Sequence, residues 1–343
     1  MRTLTLGRLG ITTHRRTFAV GVGLLAVLAA LLIFALVAGK ADVSVWDAIR
    51  AAVGIPVGAP ADFIVGQVRA PRALTAVLVG GMLGLSGAIL QSLTRNPLAS
   101  PDFIGISMGA GTGAVLTVWL VTATSLWITA AGAAAGALIT AALILVLSWR
   151  RTIVPLRLIL AGIGVGFVAQ AATQYFLTRM DVHDAANALG WLVGSTTGRT
   201  WTHVTFSAIA IAVVVPVVLW NARALRTMEM GDDAARALGI AVGRSRAILA
   251  VASVLLAAAA VAVTGPIGFI ALVAPALALR VTRSAGMALI PAALMGAVLL
   301  LAADQLSQLM PANLQFPVGV FTAAVGAPYL LWLVWRASRG GQS

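Results

Sequence analysis

A series of long apolar runs, each about the length needed to cross a lipid bilayer, constrains this chain more than any other feature. A spanning helix needs about 20 predominantly apolar residues, and here such runs are separated by short segments with charges, Pro or Gly. We predict ten spans, at about 18–38, 62–93, 102–122, 125–148, 153–177, 202–221, 247–264, 266–282, 286–309 and 316–335. We place the boundary between the seventh and eighth spans at Thr264-Gly-Pro266 and expect Pro266 to lie in the first turn of the eighth helix. The expected fold class is an all-α integral membrane protein of about ten transmembrane helices, with residues 1–343 forming one domain.

The composition agrees with a membrane protein and excludes several other classes. Hydrophobic residues make up 60% of the chain and charged residues 10%, whereas soluble domains carry about 25% charged residues. The absence of cysteine excludes disulfides and thiolate metal sites, and the three histidines lie too far apart in sequence to suggest a metal cluster. The net charge of +13 does not indicate nucleic-acid binding, because the basic residues lie at the ends of apolar runs.

The distribution of the basic residues predicts the orientation in the membrane. Seventeen of the 23 Lys and Arg residues fall on the side that holds both termini. By the positive-inside rule that side is cytoplasmic. The same count places the charged segment 228–240 in the cytoplasm. It places the polar segment 179–200, for which we expect a short surface helix, on the outer side.

The segment 228–240 is the one charged, amphipathic stretch between long apolar runs. Asp232 and Asp233 follow Gly231 as helix-start residues, Ala234 to Leu238 can form about one and a half turns, and Gly239 offers a stop, so a short helix is predicted. Taken alone, the segment fits either a solvated loop or a surface that faces a partner protein.

Glycines and buried polar residues leave further alternatives open. Most of the 35 glycines fit close helix packing. In the fifth span, Gly162, Gly164 and Gly166 precede Gln170. This helix either lines a translocation path or uses its glutamine to hydrogen-bond neighbouring helices. Asp304, deep in the ninth span, is either structurally paired or functional, and pairing is favoured. No catalytic or phosphate-binding motif is present in the sequence, so we do not expect an enzyme.

Several longer motifs resemble the FecCD-type permeases of binding-protein-dependent ABC importers. They are Arg69-Ala-Pro-Arg72, Leu85-Ser-Gly-Ala-Ile-Leu-Gln91, Arg95-Asn-Pro-Leu-Ala-Ser-Pro101, Gly231-Asp-Asp-Ala-Ala-Arg-Ala-Leu-Gly239, Gly265-Pro-Ile-Gly-Phe-Ile-Ala-Leu-Val-Ala-Pro275 and Phe316-Pro-Val-Gly-Val-Phe-Thr-Ala-Ala-Val-Gly-Ala-Pro328. The resemblance covers about residues 60–335. Glu229-Met-Gly-Asp-Asp233, Gly243-Arg-Ser-Arg246 and Ser100-Pro-Asp102 are most similar to the G-type subunit of ferric enterobactin permeases.

This resemblance implies a type II ABC importer permease fold and a role for each motif. The segment that couples transport to a separate ATPase would contain Gly231, Asp232, Asp233, Ala235, Arg236, Leu238 and Gly239. Arg69 and Arg72 would receive acidic groups of a substrate-binding protein on the outer side. The chain itself would bind no cofactor, and ATP and magnesium would bind the ATPase.

The resemblance also implies the setting and the cargo. The expected setting is the bacterial cytoplasmic (inner) membrane, as a multi-pass protein. The expected partners are ABC ATPase subunits, a periplasmic or lipoprotein substrate-binding protein and a second permease, with a heterodimer favoured over a homodimer. The cargo would be a ferric siderophore, with the catecholate type favoured and haem or cobalamin as alternatives. Some cobalamin-type relatives have Arg where this chain has Gln308, which makes cobalamin less favoured.

Two other functions compete with this interpretation. An ion-gradient-driven secondary transporter would need intramembrane ionisable residues, and Asp304 is almost alone in that respect. A membrane-embedded enzyme ranks third. The chain also departs from the family at Ala276, where many relatives have His, and at the loop Arg283-Ser-Ala-Gly286, where many have Gly-x-Asp-His.

Overall fold

The computed structural model describes residues 3–6, 11–39, 43–102, 105–121, 126–150, 152–153, 155–284, 286, 288–311 and 316–340. Most of these residues are helical. The helices are α1 (Arg15–Val37), α2 (Val45–Ala52), α3 (Ala59–Phe63), α4 (Ala70–Thr94), α5 (Ile106–Leu120), α6 (Leu126–Ser148), α7 (Pro155–Leu177), α8 (Val182–Leu192), α9 (Trp201–Glu229), α10 (Asp232–Ala237), α11 (Val242–Thr264), α12 (Ile270–Thr282), α13 (Leu289–Leu309) and α14 (Val318–Gly340). A π-helical segment, Ile64–Arg69, joins α3 to α4.

Two short antiparallel hairpins complete the secondary structure of the described ranges. β1 (Thr3–Leu6) pairs with β2 (Ile11–His14) before α1. β3 (Trp149–Arg150) pairs with β4 (Thr152–Ile153) between α6 and α7. Both hairpins lie outside the long helices, so the described part of the bundle is helical apart from its connections.

Ten elements of the described chain correspond in order to the ten predicted spans. Seven are long and apolar enough to cross a bilayer: α1, the continuous α3–α4 element, α6, α7, α9, α11 and α13. Three shorter apolar helices, α5, α12 and α14, occupy the places of the remaining predicted runs. The prediction of an all-α membrane protein with about ten membrane helices is confirmed.

The prediction that a helix begins at Pro266 is wrong. α11 ends at Thr264, and α12 begins only at Ile270. Gly265 and Phe269 both have positive φ, 77° and 69°, which interrupts a right-handed helix at both ends of the connection. The connection packs against the outer loop before α9, where the amide of Ser195 donates to the carbonyl of Thr264 at 2.8 Å. Non-helical backbone at membrane depth is tolerated where protein covers it in this way.

The helix α4 is the centre of the bundle and packs against α9, α11, α12 and α13. Three of its glycines permit this close approach. A Cβ atom at Gly80 or Gly84 would collide with the backbone of α13, and one at Gly87 would collide with the backbone of α12 at Ala271. These contacts confirm that glycine serves helix packing here. Ser86 of α4 and Ser253 of α11 add buried hydrogen bonds, with the Ser86 hydroxyl donating to the Ser253 carbonyl at 2.7 Å.

Candidate functional site

The connection between α9 and α11 forms a rigid turn that presents a short helix. Gly231, with φ of 120°, precedes α10, and Asp232 and Asp233 occupy its first turn. Gly239, with φ of 79°, follows it, and the amides of Gly239 and Ile240 donate to the carbonyls of Arg236 and Ala235. This pair of hydrogen bonds is a Schellman motif, which requires a left-handed residue at the position of Gly239. The predicted helix start and stop are therefore both found.

Asp232 is held between two arginines, one immediately after α4 and one within α11. Its Oδ1 accepts from Arg95 Nη2 at 2.7 Å and from Arg246 Nη2 at 2.8 Å, and its Oδ2 accepts from Arg246 at 3.0 Å. Arg95 also donates to the Met228 carbonyl at 2.6 Å. We call Arg95, Asp232 and Arg246 the clamp. The Arg246 hydrogen bond, with a further contribution from Arg95, lowers the pKa of Asp232 and keeps it ionised.

The clamp connects α10 to the core of the bundle. Arg95 is the residue immediately after α4, in a left-handed conformation, and Arg246 is the fifth residue of α11. A displacement of α10 would therefore pull on α4 and α11 through charge-assisted hydrogen bonds, which are among the stronger kinds in proteins. The sequence analysis did not identify Arg95 as a partner of Asp232, because the two residues are 137 positions apart.

The other coupling residues divide into a buried side and an exposed side. Ala235 is fully buried against the bundle. Asp233, whose side chain is 99% exposed, pairs only with Arg236 of its own helix at 2.8 Å, among the ion pairs of the described residues. Met230 and Leu238 are 74% and 66% exposed. The exposed side of this connection thus presents one surface ion pair and two apolar side chains.

A cavity of about 340 Å³ lies beside the clamp. Its walls come from the end of α4, the end of α9 and the connection after α12, and they include Gln91, Arg95, Glu229 and Gly286. Gln91 Nε2 donates to the Leu272 carbonyl of α12 at 3.1 Å. Ser284 and Gly286, in the stretch that departs from the family pattern, thus border the same region as the clamp.

At the opposite end of the bundle, Arg72 and Asp304 form a buried ion pair. Arg72 Nη2 and Nε donate to Asp304 Oδ1 at 2.9 and 3.1 Å, and the Asp304 side chain is fully buried. Thr196 and Gln308 also donate to this carboxylate, Gln308 at 2.8 Å. The predicted structural pairing of Asp304 is confirmed, and its partner is a residue that the sequence assigned to docking.

Arg69 lies one turn before Arg72 and also has protein partners. Its Nη1 donates to the carbonyls of Leu36 and Val37 at 2.8 and 2.9 Å, at the C-terminal end of α1. Arg69, Arg72 and Gln308 nevertheless line one cavity of about 560 Å³ with Ser195 and Phe316. The two arginines that the resemblance connects with docking thus lie together, beside the position at which some cobalamin-type relatives have Arg.

The four residues predicted to line a path are separated by the structure. Gly162 and Gly166 are buried, and a Cβ at Gly105, before α5, would clash with both of them, so these two glycines serve packing. Gly164 has no neighbouring atom within 4 Å of an added Cβ, and Gln170 is exposed. The open face of α7 therefore carries only Gly164 and Gln170 of the original set.

These glycine environments predict opposite consequences for two matched substitutions. We expect Gly84→Leu to destabilise the permease by about 1–3 kcal/mol or more, because the site has no room for a side chain. We expect Gly164→Leu to insert at the wild-type level and to block uptake. Thermal unfolding in detergent and uptake measured on equal amounts of inserted protein check both expectations. Normal uptake by Gly164→Leu would remove α7 from the path.

Comparison with known proteins identifies the family to which the chain belongs. Residues 27–336 match the FecCD transport family, so the match includes both the clamp and the Arg72–Asp304 pair. The chain belongs to the FecCD transport family. It is 43% identical over 276 residues to the ferric enterobactin transport system permease protein FepG of Escherichia coli (strain K12). The alignment covers 80% of this chain and 83% of that protein.

Other relatives extend the range of cargo. The Fe(3+)-citrate import system permease protein YfmE of Bacillus subtilis (strain 168) is 41% identical, covering 80% of this chain and 82% of that protein. The vitamin B12 import system permease protein BtuC of Salmonella paratyphi A is 36% identical, covering 81% and 85%. A solved metal-chelate type ABC transporter in an inward-facing conformation matches with a TM-score of 0.82 and 26% identity, covering 93% of this chain and 99% of that chain.

Membership of the FecCD family defines the class of protein. The chain is a multi-pass inner-membrane permease subunit of an ABC importer and is not itself an enzyme, because ATP hydrolysis belongs to a separate subunit. The family implies an ATPase and a substrate-binding protein as partners. The resemblance found from the motifs is confirmed.

Proposed function

We propose that this permease moves a ferric siderophore of the catecholate type across the bacterial cytoplasmic membrane. The observation that carries the importer mechanism is the clamp, which fixes a partner-facing helix to the central helix of a FecCD bundle. The choice of cargo is supported by the 43% identity to a ferric enterobactin permease, compared with 36% to a vitamin B12 permease.

The exposed side of α10 is the surface we assign to the ATPase. ATP and magnesium bind that partner, and closure of the ATPase moves α10 as a rigid element. The clamp passes this movement to α4 and α11, and the close glycine contacts of α4 with α12 and α13 permit shear between these packed helices. Asp233, Arg236 and Leu238 supply the charged and apolar contacts, whereas Ala235 and Asp232 hold the helix in place.

A second permease completes the path in this proposal. The face of α7 with Gly164 and Gln170 is uncovered in one chain and offers a small, polar surface to a central path. We favour a sibling permease over a second copy, as the similarity to a G-type subunit suggests. A secondary transporter is disfavoured, because Asp304, its one candidate coupling carboxylate deep in a span, is committed to Arg72.

Uptake into proteoliposomes tests this function. The permease is reconstituted with the ATPase, second permease and binding protein encoded beside it, and internalised radioactive iron is measured. We expect a ferric catecholate to be accumulated with ATP, not with ADP, and in preference to ferric citrate and cobalamin. Uptake that persists without the ATPase and stops when an ionophore collapses the ion gradient would instead establish a secondary transporter.

The outer cavity predicts a salt-dependent contact with the binding protein. We expect Arg69→Glu to weaken binding-protein affinity by roughly tenfold at low salt, because a docking cation becomes a repelling anion. Arg179→Glu, an equal charge change on an exposed residue of the same outer side, is the control. Affinity for the solubilised complex is measured across a salt series. Equal losses in both variants would show that Arg69 has no specific docking role.

A further inference from the structure

A groove between α9 and α11 faces away from the clamp and has walls that are entirely apolar. Its volume is about 330 Å³, and it is lined by residues such as Val213, Val217, Ile248, Val251 and Leu255. Val213 and Val251 are well exposed. The groove therefore opens to the surroundings of the bundle at membrane depth, where an acyl chain is a fitting occupant.

Both walls of the groove change from apolar to cationic toward the cytoplasmic end. On α11, Leu255, Val251 and Ile248 are followed by Arg244 at spacings of four, three and four residues, which is one helix face. On α9, the series Val213, Val217, Trp220 and Arg223 runs at spacings of four, three and three. Each wall thus ends in an arginine near the membrane surface.

The two arginines are available to an external anion. Arg223 and Arg244 are exposed, and neither makes a side-chain hydrogen bond or ion pair within the part of the chain that the structure describes. The nearby carboxylates of the α9–α11 connection are already used: Asp232 by the clamp and Asp233 by Arg236. Two guanidinium groups beside an apolar groove therefore lack a compensating negative charge.

Trp220 marks the depth at which a headgroup would lie. Its side chain is 88% exposed and stands on α9 between the groove residue Val217 and Arg223. Tryptophan is enriched at the boundary between acyl chains and headgroups. Toward the cytoplasm, the apolar groove, Trp220 and Arg223 follow one another along α9. The acyl chain, the interfacial region and the phosphate of a phospholipid follow one another in the same order.

We infer that this groove is a binding site for one anionic phospholipid of the cytoplasmic leaflet. An acyl chain fills the space between α9 and α11, and the phosphate is bound by Arg244 and Arg223. Basic residues near a membrane surface each contribute about 1 kcal/mol to attraction of anionic lipid, so selection against zwitterionic lipid requires both arginines. The site lies on the two helices that flank α10, where lipid composition would affect the coupling connection.

Native mass spectrometry of the full-length chain tests this inference. Phosphatidylglycerol and phosphatidylcholine with the same acyl chains are titrated separately. We expect phosphatidylglycerol to bind more tightly, and each of Arg223→Gln and Arg244→Gln to weaken it by about fivefold. Val251→Trp should weaken both lipids by filling the groove. Arg157→Gln, which removes an exposed cation at the cytoplasmic end of α7, is the matched control.

Four results would overturn the inference. The first is equal affinity for the two lipids, and the second is an equal loss from Arg157→Gln. The third is full displacement of phosphatidylglycerol by inorganic phosphate or glycerophosphoglycerol, which would show that the acyl groove contributes nothing. The fourth concerns the assembled transporter. If wild type retains no more phosphatidylglycerol in that complex than the double Arg→Gln variant does, protein covers the groove.

Discussion

Asp232→Lys is expected to abolish ATP-driven uptake, whereas Asp233→Lys should only reduce it. The lysine at 232 would face Arg95 and Arg246, so three cations would replace two charge-assisted pairs and release α10 from α4 and α11. The lysine at 233 would lose only a surface pair with Arg236 and alter the charge presented to the ATPase. Uptake and copurification of the ATPase are measured for both variants at equal membrane content.

Asp232→Asn separates the effect of the negative charge from the effect of the hydrogen bonds. Its side-chain oxygen can still accept from an arginine, so intermediate uptake is expected. Normal uptake by Asp232→Lys would show that the clamp does not transmit ATPase movement. If Asp233→Lys reduces uptake as much as Asp232→Lys does, coupling depends on the charge at the surface of α10 and not on the rigidity of the connection.

Asp304→Ala is expected to destabilise the permease by about 3–5 kcal/mol. The substitution leaves Arg72 without its buried partner and removes the acceptor used by Thr196 and Gln308. Asp181→Ala is the control, because Asp181 is exposed and makes no side-chain capping bond to α8. We expect it to change stability by less than about 0.5 kcal/mol. Thermal unfolding in detergent compares the two variants.

Replacing both Arg72 and Asp304 separates the structural role of this ion pair from a role of Arg72 in docking the binding protein. Arg72→Met with Asp304→Leu should recover most of the lost stability, because no buried charge remains unpaired. If Arg72 also contacts the binding protein, the recovered double variant will still bind that protein weakly. A double variant as unstable as Asp304→Ala alone would show that the ion pair is not the source of the effect.

The order of the membrane helices and the ends of α10 could be predicted from local sequence. Apolar runs of sufficient length define the spans, and Asp232 and Gly239 mark the start and stop of α10 by local hydrogen-bonding rules. The start of α12 could not be predicted in this way. The proline rule favoured Pro266, but positive φ at Gly265 and Phe269 and packing against the outer loop keep that connection non-helical.

The ion pairs depend on contacts between distant parts of the chain. Arg95 and Asp232 are 137 residues apart, and Arg72 and Asp304 are 232 residues apart. Each residue attracted attention by itself, yet nothing local shows which cation meets which carboxylate. The same limit applies to Gly162 and Gly166, because only the position of Gly105 on a neighbouring element shows that they serve packing.

Cross-linking from single cysteines tests most directly whether α10 is the ATPase-coupling surface. The chain contains no cysteine, so Leu238→Cys and Val182→Cys each introduce one thiol, at exposed positions of α10 and of the outer helix α8. A thiol-specific photoreactive reagent is attached in the assembled transporter, and the cross-linked products are identified by mass. The account predicts an ATPase adduct from position 238 and none from position 182. An ATPase adduct from position 182, with none from 238, would contradict it.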